Sequence, residues 1–178
     1  FYFQNKELLN KIMLEFDVDP LILVSIVGIE TNYGKRYAEY SVFNSLYTQT
    51  INLPKRASWA TKELYELLVY SKEQGTSPFD LYGSYAGAFG YGQFIPSSFN
   101  KLSIDYDKNG IKNPYGWEDV LGSIAFYLTE NGYPENNHNF SFRSPIWRSA
   151  RTYNRSDKYA NVVIDFRNEL SKRIFLSY

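Results

Sequence analysis

Apolar residues recur at helical spacing along almost the whole chain while strand-type alternation is scarce, a pattern that predicts a mainly α protein. A first amphipathic helix is expected over residues 6–16, and Asp19 followed by Pro20 is a cap and first-position signal for a second. The second differs in kind. Residues 20–29 (Pro-Leu-Ile-Leu-Val-Ser-Ile-Val-Gly-Ile) are apolar on nearly every face, as in a helix that runs through a core. Such a helix carries Glu30 to the edge of a desolvated region, where the turn Glu30-Thr31-Asn32-Tyr33-Gly34 opens. Burial disfavours the charged form of a carboxyl, and the partial negative charge at a helix C-terminus opposes ionisation too. A protonated Glu30 near neutral pH is therefore expected, which is the state a general acid needs. A solvated helix end is the competing reading of the same position.

Further helices are expected over residues 42–50, 54–73, 117–131, 144–153 and 156–175, with Gly75 and Gly132 as stops and a short turn at Ser77-Pro78. Residues 83–92 break the pattern with Gly83, Gly87, Gly90 and Gly92, and Pro96 can open a helix after them. Glycines let backbone approach a ligand closely, and Ser84 and Gln93 bracket the segment with hydrogen-bonding groups. A plain structural turn would use glycines as well. No Lys-Ser or Lys-Thr is present where a phosphate loop requires it.

The length, 178 residues, suits one compact domain over 1–178. Lys+Arg and Asp+Glu both number 19, and no basic run interleaves with aromatics, so nucleic acid is not an expected partner. Aromatics make up 19%, led by 17 tyrosines, a supply that suits a groove where rings stack on sugar faces. The absence of cysteine excludes disulfides, thiol nucleophiles and cysteine-ligated metals, and leaves the compartment open. The lone histidine, His138, lies in an Asn-rich loop with no Gly-x-Ser-x-Gly elbow to go with it, which disfavours a serine triad. No apolar run reaches the roughly 20 residues that span a bilayer.

Asp105, Asp107 and Asn109, with Gly110 in sixth place and the Ile111 carbonyl in seventh, copy the first half of an EF-hand loop. Its twelfth position is Gly116, so the usual bidentate closing glutamate is missing. A metal-free Asp/Asn-Gly turn is the alternative.

Three stretches together resemble the membrane-bound lytic murein transglycosylase B family: residues 30–34, residues 83–98 (Gly-Ser-Tyr-Ala-Gly-Ala-Phe-Gly-Tyr-Gly-Gln-Phe-Ile-Pro-Ser-Ser) and residues 117–127. The resemblance runs from about residue 19 to residue 159. It implies a lysozyme-like catalytic core in which residues 83–92 line the substrate groove. It also implies cleavage of the β-1,4 bond between N-acetylmuramic acid and N-acetylglucosamine in peptidoglycan, with 1,6-anhydromuramoyl ends formed by Glu30 acting as acid and then base. Ser84 matches the serine that hydrogen-bonds the catalytic glutamate, and Gln93 a substrate-binding glutamine. Tyr127 falls at an active-site tyrosine, and Tyr153, Asn154 and Tyr159 resemble a C-terminal Tyr-Asn motif. Each of these has a structural alternative, as core residue or helix cap. The family closes a longer calcium loop, about 105–119, with an acidic residue that falls on Asp119, with Glu118 competing. A structural Ca²⁺ and no catalytic cofactor are thus implied. So are glycan strands as partner, a monomeric enzyme, and a periplasmic or cell-envelope location that leaves an outer-membrane anchor open. Family members commonly carry an additional N-terminal helical region and an insertion before the Tyr-Asn motif that is shorter here. A hydrolytic muramidase and a non-catalytic peptidoglycan-binding module remain the alternatives.

Overall fold

The apolar segment forms a helix buried along its middle, with Ile22, Leu23, Val24, Ile26 and Val27 at most 1% exposed. Ser25, the polar residue among them, donates its hydroxyl to the Leu21 carbonyl at 2.7 Å, so no polar atom is left unsatisfied there. The computed structural model describes residues 1–175, and the last three positions of the expected 1–178 domain lie outside the described residues.

Among the described residues the helices are α1 (Lys6–Phe16), α2 (Pro20–Thr31), α3 (Val42–Asn52), α4 (Ala57–Gln74), α5 (Pro96–Leu102), α6 (Trp117–Glu130), α7 (Pro145–Asn154) and α8 (Asp157–Phe175). Two short strands, β1 (Tyr40–Ser41) and β2 (Tyr82–Gly83), pair antiparallel. The expected helix over 54–73 begins at Ala57 instead. Pro54 to Arg56 form the turn that reverses the chain after α3, with the Arg56 N–H donating to the Leu53 carbonyl at 2.8 Å. The strands were not foreseen, because two residues are too short to show a period.

The chain divides into two compact units, Glu30–Val120 and the residues on either side of it. In the flanking unit, Leu9 and Ile12 of α1, Leu121, Ile124 and Leu128 of α6, and Ile146 of α7 are fully buried. The Ser149 hydroxyl donates to the Leu128 carbonyl at 2.9 Å, tying α7 to α6, and Trp147 Nε1 donates to Asn161 Oδ1 at 2.8 Å, tying α7 to α8. Asp19 caps α2 through the Leu21 N–H at 2.7 Å. Its other oxygen accepts from Arg167 Nε and Nη2 at 3.1 and 2.5 Å. That guanidinium also lies over the Phe140 ring at 3.8 Å.

In the Glu30–Val120 unit, α4 packs between α3 and α5. Tyr70, Phe89 and Phe99 form a ring triangle with centroids 4.9 to 5.6 Å apart, and Phe89 is fully buried. Helix α5 starts after Ile95, which has no side-chain group to cap it. Glu63 of α4, only 2% exposed, supplies the missing acceptor: its two oxygens take the Ser97 N–H at 2.9 Å and the Ser97 hydroxyl at 2.8 Å. Glu63→Ala would strand both donors and remove the cap. It is expected to cost about 2–4 kcal/mol in urea unfolding. A change below about 1 kcal/mol would rule out this carboxylate as the anchor of α5.

Candidate active site

Glu30 sits in the last turn of α2, partly buried, one residue before the helix ends at Thr31. Beyond the helix lies a run of left-handed residues, Asn32, Tyr33 and Gly34, with φ of 49°, 57° and 75°. Two of the three carry the Cβ penalty of that conformation, so something must hold the turn. Thr31, 1% exposed, does so: its hydroxyl accepts the Gly34 N–H at 3.1 Å and donates to the Tyr91 carbonyl at 3.1 Å. Its own carbonyl takes the Arg36 N–H at 2.9 Å. The residue beside Glu30 is thereby fastened to the segment that bears Ser84 and Gln93.

Glycine at position 34 is needed for space as well as for φ. A Cβ there would come within 3.1 Å of the Trp117 ring and 3.2 Å of Tyr91. Those two rings stack at 4.5 Å, and Tyr37 and Tyr115 close the cluster edge-on or tilted at 4.9 to 5.7 Å. Burial pushes the Tyr115 hydroxyl up to about 12, and burial with Tyr37 beside it raises that of Tyr91. These two hydroxyls therefore stay uncharged across the neutral range.

The segment 83–94 is a pair of tight reversals rather than a loose loop. The Ser84 N–H donates to the Ala88 carbonyl at 2.8 Å, and the Ser84 hydroxyl oxygen accepts the Ala88 N–H at 3.2 Å. Gly83 lies against Phe89, and Phe89 against Phe94, as isolated bridges. A Cβ on Gly83 would stand 1.8 Å from the Ala88 carbonyl oxygen, a backbone clash that no side-chain motion relieves. Gln93 closes the second reversal at φ 52°, its Nε2 donating to the Gly90 carbonyl at 2.9 Å. A carbonyl can only accept, so that bond fixes which way the amide faces.

The flanking unit gathers three of the other expected residues. Tyr127 of α6 meets Tyr153 of α7 edge-on at 5.0 Å, and Tyr153 lies parallel to Tyr159 of α8 at 6.2 Å. The Tyr127 hydroxyl donates to the Thr152 carbonyl at 2.9 Å. Asn154 is exposed at the end of α7, next to Arg155 at φ 45°. His138 is exposed in its loop.

A third group of side chains is acidic. Asp105, Asp107 and Asp119 each direct a carboxylate oxygen to within 4.8 Å of the others, and Asp119 is buried. Burial raises the Asp119 carboxyl above its ordinary value, against the pull of N–H donors from Asn113, Tyr106 and Asp107. Glu118 is exposed and is not part of this group. Asn109 and Ile111 occupy the same turn, where the Ile111 N–H donates to Asn109 Oδ1 at 2.8 Å. Three converging carboxylates are a hard-oxygen set, which suits a divalent cation of the calcium type.

Sequence reasoning missed Thr31, Tyr91 and Glu63. Thr31 and Tyr91 lay inside the quoted motifs, where a buried hydroxyl next to the acid could have drawn notice; nothing local marks Glu63.

The mainly α fold places the chain in the class of lysozyme-like lytic transglycosylase cores. The chain belongs to the Transglycosylase SLT domain family, whose model matches residues 1–147. It is 35% identical over 133 residues to the membrane-bound lytic murein transglycosylase B of Escherichia coli K12, a match over 75% of this chain. This chain spans 37% of that protein's length. The soluble lytic transglycosylase SltB1 from Pseudomonas aeruginosa superposes with a TM-score of 0.90 at 28% identity, over 97% of this chain and 77% of that one. The Escherichia coli lytic transglycosylase Slt35, solved in complex with calcium, shares the fold with a TM-score of 0.90 at 24% identity, over 97% and 72%. The resemblance read from the three sequence stretches is borne out at the level of the family.

If the Thr31 hydroxyl holds the end of α2, the near-isosteric Thr31→Val should lower stability by about 1–3 kcal/mol. Under the reading of Glu30 as the acid, proposed below, it should also reduce turnover. Unchanged kcat alongside the expected loss of stability would confine Thr31 to a purely structural part.

Proposed function

We propose that this chain is the catalytic core of a peptidoglycan lytic transglycosylase, with residues 1–178 acting as one catalytic domain. The observation that carries the reading is the tether of Glu30's turn to the glycine-rich segment through Thr31 and Tyr91. It fastens the turn that begins at a partly buried carboxylate to the segment that bears Ser84 and Gln93. The family match over residues 1–147, which takes in both units, supports the one-domain reading.

In this reading residues 83–92 form the wall of the substrate groove. Glu30 in its acid form gives its proton to the glycosidic oxygen as the C1–O bond breaks, and N-acetylglucosamine departs. Positive charge develops at the anomeric carbon. The Glu30 carboxylate then takes the proton of the 6-hydroxyl of the same muramoyl unit, whose oxygen closes on C1. The proton balance is restored and no water is consumed. One carboxylate serves both steps, where hydrolytic glycosidases usually place two across the scissile bond. Ser84 orients Glu30, Gln93 binds the glycan, and Tyr127, Tyr153, Asn154 and Tyr159 are the further glycan-binding residues of this reading.

Asp105, Asp107 and Asp119, with Asn109 Oδ1 and the Ile111 carbonyl, would hold a calcium ion in an EF-hand-like loop over about 105–119. The ion's contribution is charge neutralisation that steadies the loop, and no catalytic step passes through it. The natural partner is the peptidoglycan glycan strand, met by a monomer in the periplasm or cell envelope; the Escherichia coli relative is named as a membrane-bound murein transglycosylase. Among the described residues no helix is long and apolar enough to cross a membrane.

Digestion of purified peptidoglycan and mass spectrometry of the products are expected to give anhydro-ended muropeptides, one water lighter than reducing-ended ones. Products that all carry reducing ends would make the protein a muramidase, and no products at all would leave a binding module. Glu30→Gln should cut turnover by at least about 10²–10⁴-fold, the usual worth of a general acid, while glycan binding and melting temperature persist.

Calcium at about 100 times its dissociation constant should stabilise the fold by about 2.7 kcal/mol, a rise of roughly 5–10 °C in Tm that a chelator reverses. Asp119→Asn should abolish the rise. A Tm indifferent to calcium, chelator and this substitution would refute the loop assignment.

A further inference from the structure

Helix α3 carries a stripe of uncharged polar side chains, Ser41 at its cap and then Asn44, Ser45, Thr48 and Gln49, at the spacing that puts them on one face. Beside this stripe is a hollow of about 520 Å³, within the roughly 300–1,000 Å³ of small-molecule sites. Two aromatic rings border it: Tyr40 on β1 and Tyr85, which meet edge-on at 6.3 Å and are 47% and 71% exposed.

Gln49 lines the hollow and is 6% exposed. Its Nε2 donates to the Tyr85 carbonyl at 2.9 Å, which fixes the amide orientation because a carbonyl can only accept. Its Oε1 is then left buried with no donor among the described residues. A buried acceptor without a partner costs about 1–3 kcal/mol, so a bound donor would recover that much. Leucine would fill the same place on a helix without that cost. Among the described residues Glu39 is the only charged one on the rim, which disfavours a strongly charged ligand.

We infer that this hollow is a second sugar-binding subsite that takes an N-acetylhexosamine unit, its acetamido N–H donating to Gln49 Oε1 and its ring lying on Tyr85. The inference rests on the reading of the chain as a glycan-cleaving enzyme and extends it from Tyr85 of the glycine-rich segment to residues of α3 outside the motifs. Tyr85 comes directly after Ser84, and β1 pairs with β2 through Tyr40 and Gly83. The subsite therefore adjoins the glycine-rich segment, where the next sugar of a strand bound at Ser84 would fall. The acetamido group reaches the buried oxygen only if the rim gives way, and Tyr85, exposed at that rim, is a side chain with room to move. Neutral hydroxyl and amide partners with two exposed rings are the chemistry of carbohydrate recognition.

The test is calorimetric binding of tri-N-acetylchitotriose to the parent protein, Gln49→Leu and Tyr85→Ala, with the fully deacetylated trisaccharide as control. Each substitution is expected to weaken binding of the acetylated sugar about tenfold, and Gln49→Leu to leave the melting temperature near that of the parent, since relief of the buried oxygen is offset by loss of the Nε2 bond to the Tyr85 carbonyl. Neither the parent nor Gln49→Leu should bind the deacetylated sugar tightly, and the difference between them should vanish. Equal affinity of parent and Gln49→Leu for the acetylated sugar would overturn the proposal. So would a Gln49 effect of the same size on the deacetylated one. Binding is the readout, so the two readings fail separately. Loss of the subsite leaves anhydro-product formation by the parent protein in place, and an absence of turnover leaves a Gln49-dependent affinity in place.

Discussion

A single hydroxyl joins the end of the buried helix α2 to the glycine-rich segment. Thr31 ends the buried helix α2, stabilises the left-handed turn after it and bonds to the Tyr91 carbonyl. An apolar helix has only weak control over the last residue it carries, because its packing is set by shape and not by direction. Hydrogen bonds at its end supply direction. The buried face of α2 thus fixes where the carboxylate stands, and Thr31 fixes what stands beside it.

The glycine-rich segment gains its rigidity in a similar way. Gly83 admits the Ala88 carbonyl, Ser84 closes the first reversal with both its backbone and its hydroxyl, and Phe89 buries itself among Tyr70 and Phe99. Beyond Phe94 the chain enters α5, whose first turn is held by Glu63. Glycine at this density would ordinarily make a mobile loop. Here Gly83, Gly87 and Gly90 each face a filled space or a bonded carbonyl, so the freedom is used to pass obstacles rather than to move.

Much of this was legible in the sequence because it depends on local pattern. The all-round apolar run at 20–29 told of burial, Asp19-Pro20 marked the start of α2, and Pro96 and Gly75 marked other boundaries. The illegible parts depend on partners distant along the chain. Glu63 looks like any surface glutamate on an amphipathic helix until Ser97 is packed against it, and Gln49 sits on a face that pattern alone would assign to solvent. The two-residue strands fall below any period. Ring clusters such as Tyr37, Tyr91, Tyr115 and Trp117 are visible only as a surplus of tyrosine in the composition.

That surplus also bears on the charge the proposed reaction must stabilise. Glycosidic cleavage builds positive charge at carbon, so donors, which suit an oxyanion, would be misplaced there. A tyrosine whose proton is already committed presents lone pairs and a ring face instead, both attractive to a cation. Tyr127 is in that state: its hydroxyl donates to the Thr152 carbonyl and its ring packs on Tyr153. Phenylalanine in its place would keep the ring face and lose the oxygen. The helix-bound carbonyl at Thr152 thereby sets the polarity of a side chain that would otherwise serve equally well as donor or acceptor.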